Sequence, residues 1–170
     1  SDLMECLAGA RPQATGDIWL EGQPVKADSI SERIQSGFVL VPEDRQHDSI
    51  VPTLSVQDNM LLASLKKYLR GGFLNASEEQ MATDSQIKDL SIRVANSKQL
   101  ITALSGGNQQ KVVVAKGMLT KPKVLLLDEP TRGIDVGAKS EISEIINRLA
   151  EENYGVIFVS SELKEILAMS

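Results

Sequence analysis

The sequence contains a single cysteine and a single histidine in 170 residues. One thiol closes no internal disulfide, and Cys6 with His47 supplies no zinc framework, so a reducing cytosol fits best. Aromatic residues are few, at 4%. No apolar run approaches the roughly 18 residues that span a bilayer, and the first residues carry no basic segment followed by an apolar stretch. Any membrane association is therefore expected to be peripheral. Positive charge is also in deficit, with 18 Lys and Arg against 23 Asp and Glu, a net charge of −5. Without a cationic field, nonspecific nucleic-acid binding is disfavoured. What remains is ordinary globular usage, 42% hydrophobic and 24% charged, at a length near one domain.

The chain opens on Ser1 and runs directly into Asp2-Leu3-Met4-Glu5-Cys6-Leu7, with Leu3, Met4 and Leu7 at helical spacing and Gly9 and Pro12 as stop signals. It is expected to begin inside a helix, as a piece of something longer. Ile18 to Val25 reads as a small hairpin. Ser29 to Glu32 has capping-box spacing ahead of a short helix ended by Gly37, and Phe38-Val39-Leu40-Val41 reads as a buried strand. From Val51 to Ala103 the pattern is helical: Val56, Met60, Leu61 and Leu65 share a face, Gly71-Gly72 breaks the run, and Ser77 to Gln80 has capping-box form. Beyond Leu104, helices over about 107–119 and 138–150 alternate with strands over 124–127 and 156–159, and a last helix starts at Glu162. Such alternation predicts a parallel α/β sheet.

Two stretches carry chemistry. Val124-Leu125-Leu126-Leu127 delivers Asp128 and Glu129 to the C-terminal end of a buried strand, where open α/β sheets bind ligands. In a nucleotide hydrolase such a pair holds Mg²⁺ through water and orients or deprotonates the attacking water; simple loop capping is the bland alternative. Upstream, Ser105-Gly106-Gly107 opens a helix whose free N–H groups and positive dipole end suit an anion, unless Ser105 is a plain N-cap.

The run L-S-G-G-N-Q-Q-K followed by V-L-L-L-D-E-P-T-R-G-I-D-V-G-A-K resembles the signature, Walker B and D-loop segments of ATP-binding cassette ATPases. More narrowly, it resembles the second cassette of the tandem-cassette subunits of bacterial monosaccharide importers of the ribose, galactose or xylose type, over nearly the whole chain. The resemblance implies a P-loop NTPase-like α/β fold with a three-layer parallel sheet and an inserted helical subdomain. It divides the chain into a partial core (1–50), the helical subdomain that meets the membrane subunits (51–104) and the signature-to-switch region (105–170). It also implies ATP and Mg²⁺ as ligands. By position, Ser105, Gly106 and Gly107 would contact the γ-phosphate of ATP on an opposing cassette, with Asn108 in the place usually held by glutamine. Asp128 and Glu129 match the Mg²⁺-associated aspartate and the catalytic glutamate, and Asp135 matches the D-loop aspartate.

Three departures from the family pattern stand out. Ser161 falls where most cassettes carry the switch histidine, and Glu43 falls where many carry the Q-loop glutamine. Both put in doubt efficient hydrolysis at this half's own site. No G-x-x-x-x-G-K-[ST] occurs, so the phosphate-cradling loop and its strand are expected to lie upstream, with Ser1 matching the first hydroxyl residue at the loop's end, a Mg²⁺ ligand. The chain alone is accordingly expected to be inactive.

The implied partners are a second cassette, transmembrane permease subunits and, indirectly, a periplasmic sugar-binding protein, with no nucleic acid. The implied location is the cytoplasmic face of the bacterial inner membrane. Two rival functions remain: a degenerate cassette that lends its signature helix without hydrolysing ATP, and a soluble cassette ATPase acting on DNA or ribosomes. Acidic charge and the absence of a coiled-coil insertion weigh against the latter.

Residues outside these motifs draw plainer readings. His47 reads as a solvated loop residue, Cys6 as core packing, and Lys66, Lys67 and Arg70 as a solvated face rather than a headgroup contact. Trp19 is expected to cover the hairpin's second face.

Overall fold

The structure is a computed structural model that describes residues 2–11, 15–26 and 29–169. Its centre is a three-stranded parallel sheet in the order β3–β6–β7, formed by β3 (Phe38–Val41), β6 (Val124–Asp128) and β7 (Gly155–Val159). Strand β6 has no solvent-facing side because helices cover both faces, which is why its sequence is an unbroken apolar run. Val124 and Leu126 join Phe38 beneath α1 (Asp2–Leu7), where Met4 and Ala8 are buried. Leu125 and Leu127 point the other way, into a cluster with Val112, Val113 and Val114 of α6 (Gly106–Met118) and Ile142, Ile145 and Leu149 of α7 (Val136–Glu151). Each fully buried leucine contributes about 2 kcal/mol. The expected stripe of α7 is present, and it is the residues Ile142, Ile145, Ile146 and Leu149 that are buried there.

Register brings the strand ends level. Val41 pairs with Leu127, and Asp128 pairs with Val159. The segments after all three strands therefore emerge at one end of the sheet. Helix α8 (Leu163–Met169) comes after β7, an edge strand whose Ile157 is 43% exposed.

The remaining elements are short. Hairpin β1 (Trp19–Leu20) with β2 (Gln23–Pro24) lies where the alternation predicts it. Helix α2 (Ile30–Gln35) is capped by Ser29, which accepts from the Glu32 amide. A single turn, α3 (Arg45–Asp48), comes after β3, capped by Asp44. Between 51 and 104 lie α4 (Val56–Leu61), hairpin β4 (Leu69–Arg70) with β5 (Phe73–Leu74), and α5 (Ala76–Asp89). Val56, Met60, Leu90, Ile92 and Ile101 share one cluster with the sheet's α6 face.

Several local expectations are corrected. Gly71-Gly72 does not merely interrupt a helix: both residues have positive φ, +59° and +88°, and form the two-residue turn of β4–β5. Helix α5 begins at Asn75, whose side chain accepts from the Ser77 and Glu78 amides, not at a Ser77 capping box. Leu3 is 63% exposed, leaving Met4 and Ala8 to pack α1, and Cys6 is only half-buried. Trp19 is 64% exposed, because Leu20 takes the side of the hairpin that packs on the core and Trp19 alternates to the other side.

Candidate functional site

Strand β6 ends in Asp128, which is 3% exposed, and hands over to Glu129. Glu129 holds φ at +47°, an uncommon setting for a residue with a side chain. Its backbone is pinned on both sides: its N–H donates to the Val159 carbonyl at 2.9 Å, and its carbonyl accepts from the Arg132 amide at 3.0 Å. The carboxylate is thereby turned toward the end of β7, where the Ser161 hydroxyl donates to Glu129 Oε2 at 3.2 Å. Three residues that the sequence singles out, Asp128, Glu129 and Ser161, thus meet at the C-terminal end of the sheet.

Helix α6 opens differently from its neighbours. Ser29, Asp44, Ser55, Asn75 and Asp135 each cap a helix through the side chain. Ser105 makes no such bond, and its Oγ instead accepts from Asn108 Nδ2 at 3.0 Å. Asn108 Oδ1 in turn accepts from the Arg93 amide at 2.7 Å. The first amides of α6 therefore gain no side-chain acceptor from their own cap, and the helix dipole lies behind them. Gly107 is required here for space: a Cβ on it would stand 2.4 Å from the Ala138 Cβ, so α6 and α7 meet nearly backbone to side chain.

The loop between β6 and α7 ties these parts together. Asp135 caps α7 by accepting from the Ala138 amide at 3.0 Å. Glu43, placed after β3, forms an ion pair with Arg132. Arg45 donates to the carbonyls of Arg132 and Gly133, and burial pushes its guanidinium below its ordinary pKa without approaching neutrality. Behind the Glu129–Ser161 pair sits Glu165, 9% exposed, accepting from Thr131 Oγ1 at 2.5 Å, Ser160 Oγ at 2.7 Å and Lys139 Nζ at 3.2 Å. Burial works to raise the pKa of Glu165, but these three donors outweigh it and hold the carboxyl below the usual range.

On the opposite flank, Lys111 is 2% exposed and pairs with Glu141 at 2.7 Å while donating to the Ser91 carbonyl at 3.0 Å. The Glu141 carboxylate also accepts from Arg93 at 2.6 Å, and chiefly the bond from Lys111 lowers its pKa. Sequence reasoning missed Arg45, Lys111 and Glu165; each is a charged residue with partners far away in the chain, although Glu165 also has Ser160 five positions before it.

Ser1 lies outside the described residues. His47 is exposed, on the one-turn helix α3 rather than in a loop. Lys67 is more than a solvated charge, since its Nζ bonds the carbonyls of Leu119 and Thr120 at the end of α6, while Arg70 pairs with Glu78. A cavity of about 580 Å³, lined in part by Phe38, Leu40, Val113 and Lys116, includes none of the motif residues.

The family model described as ABC transporter matches residues 1–132. This chain belongs to the ABC transporter family. The cassette is 46% identical over 171 residues to the xylose import ATP-binding protein XylG of Pseudomonas savastanoi pv. phaseolicola (strain 1448A / Race 6), covering 100% of this chain and 33% of that protein. It is 42% identical over 170 residues to the ribose import ATP-binding protein RbsA of Geobacillus kaustophilus (strain HTA426), covering 100% of this chain and 34% of that one. The cassette thus spans about a third of the length of these relatives. A solved dimeric post-hydrolysis structure of the ATP-binding cassette MJ0796 with ADP and Pi matches at TM-score 0.78 and 18% identity, over 96% of this chain and 70% of that one. That likeness establishes the fold, a P-loop NTPase-type α/β sheet with helices on both faces. Among the described residues, no helix is long and apolar enough to cross a membrane.

Proposed function

We propose that this cassette belongs to the ATP-hydrolysing subunit that powers bacterial import of a monosaccharide, and that it works at the cytoplasmic face of the inner membrane. The observation that carries the reading is the convergence of Asp128, Glu129 and Ser161 at the C-terminal end of the central strands. The names of the similar xylose and ribose import proteins supply the substrate class. In this reading, residues 1–50 and 105–170 form the nucleotide core and 51–104 the helical part that meets the permease. A second cassette completes the site, and a periplasmic sugar-binding protein acts through the permease.

Each residue has a physical task. Glu129, held by its pinned backbone, orients and accepts a proton from the water that attacks the γ-phosphate. The open amides of Gly106 and Gly107, with Ser105 and Asn108, receive the γ-phosphate of ATP held by the opposing cassette, where a helix N-terminus favours an anion. Asp135 sits between the two sites and reports one to the other. Glu43 occupies the Q-loop position. Mg²⁺ neutralises phosphate charge when bound, and its preference for oxygen ligands and retained water fits the buried Asp128 carboxylate, with Ser1 as the second protein ligand.

A second reading is favoured by two contacts. Ser161 donates to the Glu129 carboxylate, and Glu43 is neutralised by Arg132, so both departures from the family pattern are already engaged. In that version this half binds nucleotide and lends its α6 N-terminus to an active partner. Two assays test the proposal. The full-length protein should release phosphate from Mg-ATP and lose that activity on Ser105→Arg, which fills the phosphate approach. The 170-residue chain, lacking the phosphate-cradling loop, should release none. Mg-dependent and Glu129-dependent release by the chain alone refutes its inactivity, and normal turnover by the Ser105 variant refutes the shared site.

A further inference from the structure

The four residues Glu43 to Gln46 reach two segments that are distant in sequence. Arg45 Nη1 donates to the Arg132 carbonyl at 2.9 Å, and Nη2 donates to the Gly133 carbonyl at 3.2 Å. Next to it, Gln46 Nε2 donates to Gln109 Oε1 of α6 at 2.6 Å. The guanidinium also lies against the first residue of α6: a Cβ on Gly106 would stand 2.8 Å from Nη2 and 3.4 Å from the Gly133 carbonyl oxygen. Arg45 Nε is buried and makes no hydrogen bond, so the fork is committed to the two carbonyls. Gly133 adopts φ +68°, and Gly106 leaves the space the guanidinium fills. One planar cation is thus wedged between the loop that leads to Asp135 and the N-terminus of α6.

We propose that Arg45 is a positioning residue that sets the 132–135 loop and the α6 N-terminus relative to each other, so that movement of the segment after β3 reaches both together. The proposal rests on the reading of Ser105 to Asn108 and Asp135 as groups that serve a nucleotide across a cassette pair. A guanidinium suits the task because its rigid fork bonds two successive carbonyls at once, and a charged donor makes the stronger bond. Lysine, a point charge on a flexible stem, reproduces one of those bonds at most. Because Arg45 touches the signature helix rather than the Asp128–Glu129 pair, its effect extends to the opposing site even where this half does not hydrolyse ATP.

The test compares wild type, Arg45→Ala and Arg45→Lys in the full-length protein. Arg45→Ala is expected to lower kcat for ATP hydrolysis by at least about tenfold with KM changed by less than about twofold, as misplaced groups that act only in the transition state do. Arg45→Lys recovers part of the rate. Amide exchange quickens at 106–108 and 133–136 and stays slow in strand 124–128. A wild type that does not hydrolyse ATP overturns the functional reading beneath the proposal. A hydrolysing wild type matched by Arg45→Ala in kcat and in exchange overturns the proposal alone, as does a loss of thermal stability with kcat intact.

Discussion

The Ser161 hydroxyl donates to Glu129 Oε2 across 3.2 Å, joining the ends of two adjacent parallel strands. Neither residue is free to drift. The Glu129 amide is bonded to Val159, and Ser160, next to Ser161, is bonded to Glu165. The contact is therefore a consequence of sheet register. A one-residue slip of β7 would turn Val156 and Phe158, the partly buried side chains that pack against the core, to the other face.

The tight approach of α6 to α7 makes Gly107 intolerant. Gly107→Ala places a methyl group 2.4 Å from the Ala138 Cβ and should destabilise the fold by about 1–3 kcal/mol. Adding Ala138→Gly should return part of that loss by removing the opposing methyl, less about 1 kcal/mol for glycine in a helix. Denaturant melts of the single and double variants check this, and strictly additive losses would contradict it.

The Lys111–Glu141 pair should respond asymmetrically. Lys111 is 2% exposed, whereas the Glu141 side chain is 35% exposed and has Arg93 in reserve. Glu141→Ala strands a buried ammonium and is expected to destabilise by about 3 kcal/mol. Lys111→Met keeps the volume and leaves Glu141 paired, so its loss should be about 1 kcal/mol or less. Equal losses measured by denaturant unfolding would rule out this burial argument.

Glu165 sets part of the acid limb of stability. Its folded pKa lies below the ordinary 4.5, so the ionised carboxylate stabilises the fold fully above that value. The contribution is lost as pH falls through the folded pKa. Thermal melts of wild type and Glu165→Gln should differ most near neutrality and converge as the pH drops below about 4.5. A gap that stays constant across that range sinks the assignment.

Legibility in the sequence followed locality. The apolar run of β6 and the Ile142–Leu149 stripe of α7 announce themselves because burial on two faces or on one stripe writes directly into residue order. Asp128 and Glu129 stood out because they close that strand and Ser105 because it precedes a Gly-Gly helix start, whereas Asp135 was singled out only through the family resemblance. Arg45 was not legible, since its bonds to Arg132 and Gly133 span 87 and 88 positions and use backbone carbonyls that every residue possesses. Hairpin β4–β5 was missed for the opposite reason. Gly71-Gly72 signals a turn, but two-residue strands are too short to show alternation. The α5 cap moved from Ser77 to Asn75 because both carry capping side chains, and only the geometry chooses between them.

The central claim is that the carboxylate ending the Asp128-Glu129 step does chemistry on ATP. Single-turnover hydrolysis of Mg-ATP by the full-length protein, comparing wild type with Glu129→Gln, tests it most directly, because the amide keeps the shape and removes the proton acceptor. The account predicts that the phosphate formed at this site falls by about a hundredfold or more, with ATP still bound. Phosphate formation at the wild-type rate would contradict it and leave this half as a nucleotide-holding partner.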